Sequence, residues 1–431
     1  MKKTNLPAEV FNTMYKKSVL SNGLRIITGS MPEARSATIS VYVGAGSRYE
    51  EDDEAGLSHF LEHMLFKGAS RRPTARDISL AIDSFGGSHN AATDRELTVY
   101  YARVPLWATN TTIDILSDMI DAPTMDETEL EKERLVILEE LASIEDSPPD
   151  LATILSDETL WPGQPLGRNI GGTPEICRQL SHQSVSDYFA SQYVPENIVI
   201  SVAGRIEHEQ ITEEVERWLG TKKSKPAASH RPAKPRNTTN RIQIHQKDSE
   251  QAHLCIAFPG FARNNPNRYS ATLFNALLGE GMSSRLFLEL REERALVYDV
   301  HSWLAEYKDT GSLTIYAGCD PESASLVAKL CLEQFENLIN SIDEKELTKG
   351  KQMVKGHILL SSEDSRSIAA WLGGQELLMG KITTIEETIK QIDAVTIDDI
   401  RKVGRLLFQP DEATIAAVGP FKKNIFKELG L

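Results

Sequence analysis

Residues 56–68 read Gly56-Leu57-Ser58-His59-Phe60-Leu61-Glu62-His63-Met64-Leu65-Phe66-Lys67-Gly68. On a helix, where each residue turns about 100°, the apolar side chains fall on one side, and the two histidines, Glu62 and Phe66 fall on the other. Histidines four residues apart share a helix face, so both rings can reach one zinc ion at roughly 2.0–2.1 Å. The stretch therefore predicts a helix packed on one side, with a metal site on its open side and Gly68 as its C-cap. An ordinary surface helix is the alternative, because such short patterns also arise by chance.

The composition is that of an ordinary globular protein with an acidic excess. Hydrophobic residues make up 40% and charged residues 25% of the 431 residues, a length that predicts about two to four domains. The net charge of −15 argues against non-specific binding to nucleic acid. The four cysteines lie far apart without a metal-type pair, which favours a reducing compartment. The N-terminal residues lack a secretory pattern, and no run approaches the ~18 apolar residues that span a bilayer. We therefore expect a bacterial cytoplasmic protein that contacts no membrane.

Strand and helix patterns alternate along the first half of the chain. Apolar or alternating runs predict strands over residues 23–28, 36–43 and 198–204, with two more inside 89–104. Helical periodicity, with glycine and proline as stop signals, predicts helices over residues 77–85, 106–121, 127–144, 151–160, 185–193 and 211–219.

The same order of elements returns after about 200 residues. A strand over 253–258 takes the place of 38–43, and a helix over 270–278 takes the place of the motif helix but carries no metal ligands. We therefore predict an α+β fold of two homologous domains, each a mostly antiparallel sheet with helices packed on one face. The predicted divisions are a tail (1–15), a zinc-binding domain (16–220), a linker (221–240) and a second domain (241–431).

The linker prediction rests on basic residues interleaved with prolines, which is typical of exposed, extended segments. A nucleic-acid-binding arm is the alternative for this segment. It is disfavoured because no aromatic residues accompany the charges.

A catalytic zinc ion takes three protein ligands and keeps a fourth position open, so the motif leaves one ligand to find. The candidates are acids of the predicted helix 127–144, whose apolar line consists of Leu130, Ile137 and Leu141. Glu139 lies about 180° from that line, whereas Glu133 and Glu140 are seven residues apart and lie beside it. Periodicity favours Glu133 and Glu140 as inward-facing. It leaves open that all three acids are solvated.

The segment His59-Phe60-Leu61-Glu62-His63, followed by Glu140 after 76 intervening residues, resembles the zinc signature of the pitrilysin-type (inverzincin) peptidase family. This family includes insulin-degrading enzymes and mitochondrial processing peptidases. The chain is most similar to the processing-peptidase-like members, which form one half of the larger enzymes. The resemblance extends from about residue 16 to 419. Further matching motifs are Asn90-Ala91-Ala92-Thr93, Pro165-Leu166-Gly167-Arg168 and Gly281-Met282-Ser283-Ser284-Arg285-Leu286-Phe287, with Arg291 and Tyr298 beyond them.

The resemblance implies a role for each residue of the metal site. His59, His63 and Glu140 would bind one zinc ion per chain. Glu62 would be the general base that takes a proton from water. Glu133 would be a second acid that supports the site.

The resemblance also implies which residues contact substrate. Arg291 and Tyr298 would bind the substrate backbone and stabilise the oxyanion. Without the resemblance, the favoured interpretation is an ordinary helix-end arginine and a packed tyrosine. Asn90 and Ala91 would lie on an edge strand to which an extended peptide adds as another strand. Phe66, on the ligand face of the motif helix, is a further candidate for substrate contact.

These implications predict a zinc endopeptidase acting on peptides or unfolded protein segments. The alternatives are a catalytically silent scaffold subunit, and a metal- or peptide-binding module without turnover. The family's large members take the arginine and tyrosine from the opposite half, so we expect a homodimer in which Arg291 and Tyr298 of one chain complete the site of the other. A heterodimer with an inactive partner is the alternative. Against the need for such a partner, this chain keeps a short glycine-containing loop with Gly279 and Gly281, although it is sparser than the glycine-rich loop of inactive partners.

Overall fold

The computed structural model describes residues 15–226, 229–235, 240–421 and 425–426. Its strands are β1 (Tyr15–Val19), β2 (Arg25–Ser30), β3 (Ser36–Val43), β4 (Ser88–Thr93), β5 (Thr98–Pro105), β6 (Ile198–Gly204), β7 (Ile242–Gln246), β8 (Ala252–Gly260), β9 (Val297–Glu306), β10 (Gly311–Cys319) and β11 (Thr414–Gly419). Its helices are α1 (Leu57–Leu65), α2 (Ala75–Asp83), α3 (Thr109–Asp121), α4 (Glu127–Asp146), α5 (Pro148–Leu160), α6 (Pro174–Gln179), α7 (His182–Gln192), α8 (His208–Leu219), α9 (Arg268–Gly279), α10 (Ala324–Ser341), α11 (Glu344–Ser361), α12 (Ser365–Met379), α13 (Ile385–Ala394) and α14 (Ile397–Leu407). A π-helical segment covers Phe287–Glu293.

The described strands form two sheets with matching topology. The first has the order β1-β2-β6-β3-β5-β4, and the second has the order β7-β11-β8-β10-β9. Apart from β1, each strand of the first sheet has a counterpart at the same place in the second. The one parallel pair is β2 with β6 in the first sheet and β7 with β11 in the second. The prediction of two similar α+β halves with mostly antiparallel sheets is therefore confirmed.

The described residues group into two compact units, neither of which is continuous in sequence. The first contains described residues of 1–137, 170–230 and 358–390, and the second contains those of 138–169, 231–357 and 391–431. Helix α5 therefore belongs to the second unit and α12 to the first. These two helices hold equivalent places in the repeat, because each directly follows a long helix, α4 or α11.

In the first unit, helices cover both faces of the central strands. Ile27 of β2 packs with Ile368 and Leu372 of α12, whereas the neighbouring Thr28 hydroxyl lies 2.9 Å from Nδ1 of His208 on α8. Successive strand residues point to opposite faces, so α12 and α8 lie on opposite sides of the sheet. Helices were expected on one face alone, so the prediction did not include α12 on the other face. The physical reason is that α12 lies more than 300 residues after β2 in the sequence, and local patterns do not show which distant segments pack together.

The second unit is built in the same way. Leu151 and Leu155 of α5 pack against Cys255 of β8. On the other face of the same strand, Phe258 lies 5.0 Å, between ring centroids, from Phe335 of α10. Its sheet is therefore also covered on both faces.

Strand β1 was not predicted from the sequence. The tail predicted over residues 1–15 is wrong at Tyr15, which begins β1; its residues 1–14 lie outside the described part of the chain. β1 lies at the edge of its sheet and exposes Lys16 and Lys17. An edge strand with so little apolar surface shows no alternation that a sequence pattern could detect.

No helix within the described ranges is both long enough and apolar enough to cross a membrane.

Candidate metal centre

Helix α1 is held at its start by a buried carboxylate from outside the motif. The N–H groups of Gly56 and Ser58 donate to the two carboxylate oxygens of Glu50 at 2.8 and 2.7 Å. A carboxylate at this end satisfies two N–H groups that have no partner inside the helix and faces the positive end of the helix dipole. Gly56 has a φ of +98°, and a Cβ there would lie 2.5 Å from the carbonyl oxygen of Gly171. Glu50 and Gly56 therefore fix where the helix begins.

The apolar side of α1 is buried as the sequence predicts. Its fully buried apolar residues are Leu57, Phe60, Leu61, Met64 and Leu65. His59, Glu62 and His63, on the other side, are only partly buried. The motif therefore presents its polar side chains toward space that a ligand can reach.

The expectation that Gly68 caps this helix is wrong. The helix ends at Leu65, and Phe66 is its C-cap, with its N–H donating to the carbonyl of His63 at 3.1 Å. Gly68 has a φ of +146°, and a Cβ there would lie 2.3 Å from the carbonyl oxygen of Pro73. The glycine is required by this close approach of backbone, not by the end of the helix.

The structure brings His59, His63 and Glu140 together. Each offers one ligand atom, and the three atoms lie within 4.8 Å of one another. The two imidazole rings meet edge to face, with centroids 4.8 Å apart. Burial lowers the pKa of His59 to about 4, with a smaller contribution from His63. His59 is therefore neutral at pH 7 and has a lone pair available for a metal ion.

Glu133 and Glu140 both lie on α4 but have different contacts. Glu133 is buried, and its carboxylate accepts a hydrogen bond from Nδ1 of His63 at 3.0 Å. Its other oxygen lies 2.5 Å from Nζ of Lys67. A proton held on Nδ1 leaves the Nε2 lone pair of His63 for a metal ion. Glu139 is exposed, in agreement with its predicted position opposite the apolar line.

Arg134 ties helix α4 to its surroundings. Its guanidinium donates to the backbone carbonyls of Cys177 and Leu180 and lies 5.6 Å from the ring centroid of Phe60 on α1. Arginine provides several donors in a fixed planar fork, which suits simultaneous contacts of this kind. Arg134 therefore holds the helix that carries Glu133 next to the helix that carries the two histidines.

The base candidate Glu62 contacts strand β4. The hydroxyl of Thr93 donates to Oε2 of Glu62 at 2.5 Å. β4 lies at the edge of its sheet, as predicted for the strand with Asn90 and Ala91. Asn90 is exposed and Ala91 is partly buried. Phe66, at the end of α1, contacts the same strand through His89, with ring centroids 5.7 Å apart.

Arg291 and Tyr298 lie together in the second unit. Arg291 is in the π-helical segment, and its guanidinium carbon lies 5.5 Å from the ring centroid of Tyr298 on β9. Tyr298 is 74% exposed. It is therefore not the packed tyrosine that it would be in the alternative interpretation.

The three clustered residues fit a zinc ion. Two imidazoles and one carboxylate form a ligand set found in catalytic zinc sites, and two ligand atoms on a tetrahedral zinc ion lie about 3.4 Å apart. The observed spacing of up to 4.8 Å requires side-chain shifts of about an ångström. The Glu133 contact fixes the ring of His63 as metal-binding histidines are usually fixed.

Comparison with known proteins identifies the family. Residues 25–174 match the family model described as insulinase (peptidase family M16), and residues 179–354 match the model described as peptidase M16 inactive domain. YmxG of Bacillus subtilis, an uncharacterized zinc protease, is 38% identical over 94% of this chain and 98% of that protein. The chain belongs to peptidase family M16. A second M16 relative, an uncharacterized zinc protease of Rickettsia bellii, is 33% identical over 94% of this chain and 98% of its own length.

Solved structures share this fold over nearly the whole chain. A protease from Helicobacter pylori has a TM-score of 0.90 at 21% identity, covering 95% of this chain and 100% of its own. A chain of complex III from Candida albicans has a TM-score of 0.83 at 21% identity, covering 96% and 99%. At this level of identity the likeness concerns the fold.

Several residues around the site escaped the sequence analysis. They are Glu50, Lys67, Thr93 and Arg134. Each contacts a residue on another element or across a turn, and such contacts leave no helical or strand periodicity in the sequence. Thr93 belongs to the motif Asn90-Ala91-Ala92-Thr93, but nothing in that motif indicated its contact with Glu62.

Proposed function

We propose that this M16 protein is a zinc-dependent endopeptidase that hydrolyses peptides or unfolded protein segments. The observation that carries the proposal is the cluster of His59, His63 and Glu140, with Glu62 on the same face of the same helix. The names of its relatives as zinc proteases support the same conclusion. The family model described as inactive covers residues 179–354 and so does not include these four residues.

When bound at this cluster, zinc would act as a Lewis acid that lowers the pKa of water and polarises the carbonyl of a peptide bond. Glu62 takes a proton from the attacking water and passes it to the amine nitrogen that leaves. Glu133 keeps the Nδ1 proton of His63 in place and so maintains the orientation of that ring.

Substrate would bind as an added strand along the free edge of β4, beside Asn90 and Ala91. This mode uses backbone hydrogen bonds, so we expect broad tolerance of substrate sequence. Phe66, packed near His89 and Tyr100, would contact an apolar substrate side chain. Arg291 and Tyr298 would donate hydrogen bonds to the oxygen that becomes negative during attack.

We further propose a homodimer, in which Arg291 and Tyr298 of one chain serve the metal centre of the other. The support is the resemblance to the larger family members, which take this pair from the opposite half. The two side chains are also neighbours, with 5.5 Å between the guanidinium carbon of Arg291 and the ring centroid of Tyr298, as joint action on one substrate requires.

The decisive experiment combines metal analysis with cleavage of a mixed peptide library. We expect the wild-type chain to hold one zinc ion and to cleave extended peptides. Glu62→Gln, which retains all three ligands, should bind zinc equally well but lose activity by on the order of 10³-fold. A silent scaffold would instead show no difference between the two chains. Absence of zinc binding, or cleavage that Glu62→Gln does not reduce, would contradict the proposal.

A further inference from the structure

A hydroxyl group on the proposed substrate strand reaches the proposed base. Thr93 is the last residue of β4, and its Oγ1 lies 2.5 Å from Oε2 of Glu62. Across the strand pair, Thr93 faces Thr98, whose own hydroxyl donates to the carbonyl of Ala45 at 2.9 Å. A hydroxyl has one proton to donate. Since Thr98 gives its proton to Ala45, the proton of Thr93 goes to Glu62.

The side-chain alternation of β4 explains why Thr93 can make this contact. His89, Ala91 and Thr93 are partly buried, whereas the residues between them are exposed. These three therefore share the inner face of the strand. His89 contacts Phe66 and Thr93 contacts Glu62, which is four residues earlier in sequence. The inner face of β4 thus meets the ligand side of the motif segment at two points.

A glutamate on a helix surface samples several rotamers, because its side chain has three rotatable bonds. Threonine is branched at Cβ and stiff at χ1, and here its backbone is fixed by pairing with β5. A short hydrogen bond from such a residue restricts the glutamate to one orientation. It engages one carboxylate oxygen, Oε2.

We propose that Thr93 is a positioning residue for Glu62, so that one strand both pairs with the substrate and orients the base. This inference rests on the proposed peptidase function and deepens it. A substrate paired with β4 is thereby placed in fixed register with the carboxylate that acts on it. The expected contribution is to turnover, because a misplaced catalytic group slows the chemical step without weakening backbone pairing.

The test is the pair of variants Thr93→Val and Thr93→Ser. Valine keeps the shape and the branching at Cβ but removes the hydroxyl, so kcat should fall roughly 10- to 100-fold with KM within about 2-fold of wild type. Serine keeps the hydroxyl, and its kcat should stay within about 3-fold of wild type. The zinc dissociation constant and Tm should be close to wild type in both. Thr112→Val is the matched control, because it removes a buried hydroxyl that donates to the carbonyl of Ala108, the residue before α3.

A crystal structure of zinc-loaded Thr93→Val provides a measurement that is independent of activity. We expect the Glu62 carboxylate to leave the orientation that it has beside Thr93. Equal kcat in wild type and Thr93→Val, or a serine variant as slow as the valine variant, would overturn the inference. Both outcomes require an active wild-type enzyme. A wild type that cleaves nothing refutes the peptidase proposal instead, so the two failures are distinguishable.

Discussion

Glu133 and Glu140 show how two like residues on one helix acquire different surroundings. They lie seven residues apart and therefore on nearly the same line of α4. Glu140 is exposed and offers an oxygen to the histidine cluster, whereas Glu133 is buried against His63 and Lys67. Helical periodicity favoured both as inward-facing, which holds for Glu133 but not for the exposed Glu140. Their difference depends on how α1 crosses α4, which is a tertiary property.

Replacing Glu133 tests its support of His63. Glu133→Gln keeps an oxygen that can accept from Nδ1 but loses the negative charge that pairs with Lys67. We expect zinc affinity to fall about 10-fold, as is common when the partner of a metal-bound histidine is changed. The measurement is competition for zinc against a chromophoric chelator. Glu129→Gln on the same helix is the control, because its exposed ion pair with Lys132 contributes little. Equal zinc affinity for Glu133→Gln and wild type would refute this role.

At the scale of elements, buried central strands were predictable from the sequence and the exposed edge strand was not. β3 and β6 match the predicted ranges 36–43 and 198–204, and nearly all their residues are buried. β6 was detectable as a nearly continuous apolar run, and β3 from its alternation of apolar residues with serine and threonine. β1 exposes its lysines at the sheet edge and was missed. Helix α1 was correctly predicted from its apolar line. The carboxylate that caps its N-terminal end was not predicted. Glu50 lies six residues before Gly56 and reaches the helix only through the fold of the intervening turn.

The Glu50 cap leads to a prediction about stability. Glu50→Ala would leave the N–H groups of Gly56 and Ser58 without their acceptor in a buried site. We expect the free energy of unfolding to fall by about 2 kcal/mol, as measured by urea titration. Glu50→Gln retains one oxygen acceptor and should lose less, about 1 kcal/mol. The role of Glu50 as a cap would be disproved if alanine were tolerated as well as glutamine.

At the scale of the whole molecule, the repeat was predictable and the exchange of helices was not. The order of elements along the chain already indicates two similar halves, and the matching strand orders confirm them. Helices α5 and α12, however, each belong to the unit formed mainly by the other half of the sequence. Ile368 and Leu372 of α12 complete the apolar core around Ile27. Neither half of the sequence therefore contains a complete unit, a fact that local periodicity cannot reveal.

Whether two chains cooperate can be tested with two variants that are each inactive for a different reason. Glu62→Gln lacks the base and Tyr298→Phe lacks the hydroxyl proposed to stabilise the oxyanion, so each homodimer should be nearly inactive. If the tyrosine acts across the dimer, a mixed dimer holds one site with both groups intact. Random exchange of equal amounts makes about half of all dimers mixed, so about a quarter of wild-type activity should return. Subunit exchange is verified independently by mass spectrometry of differently tagged chains. If activity stays absent after complete exchange, the tyrosine acts within its own chain or not at all, because only completion of the site by the other chain produces recovery.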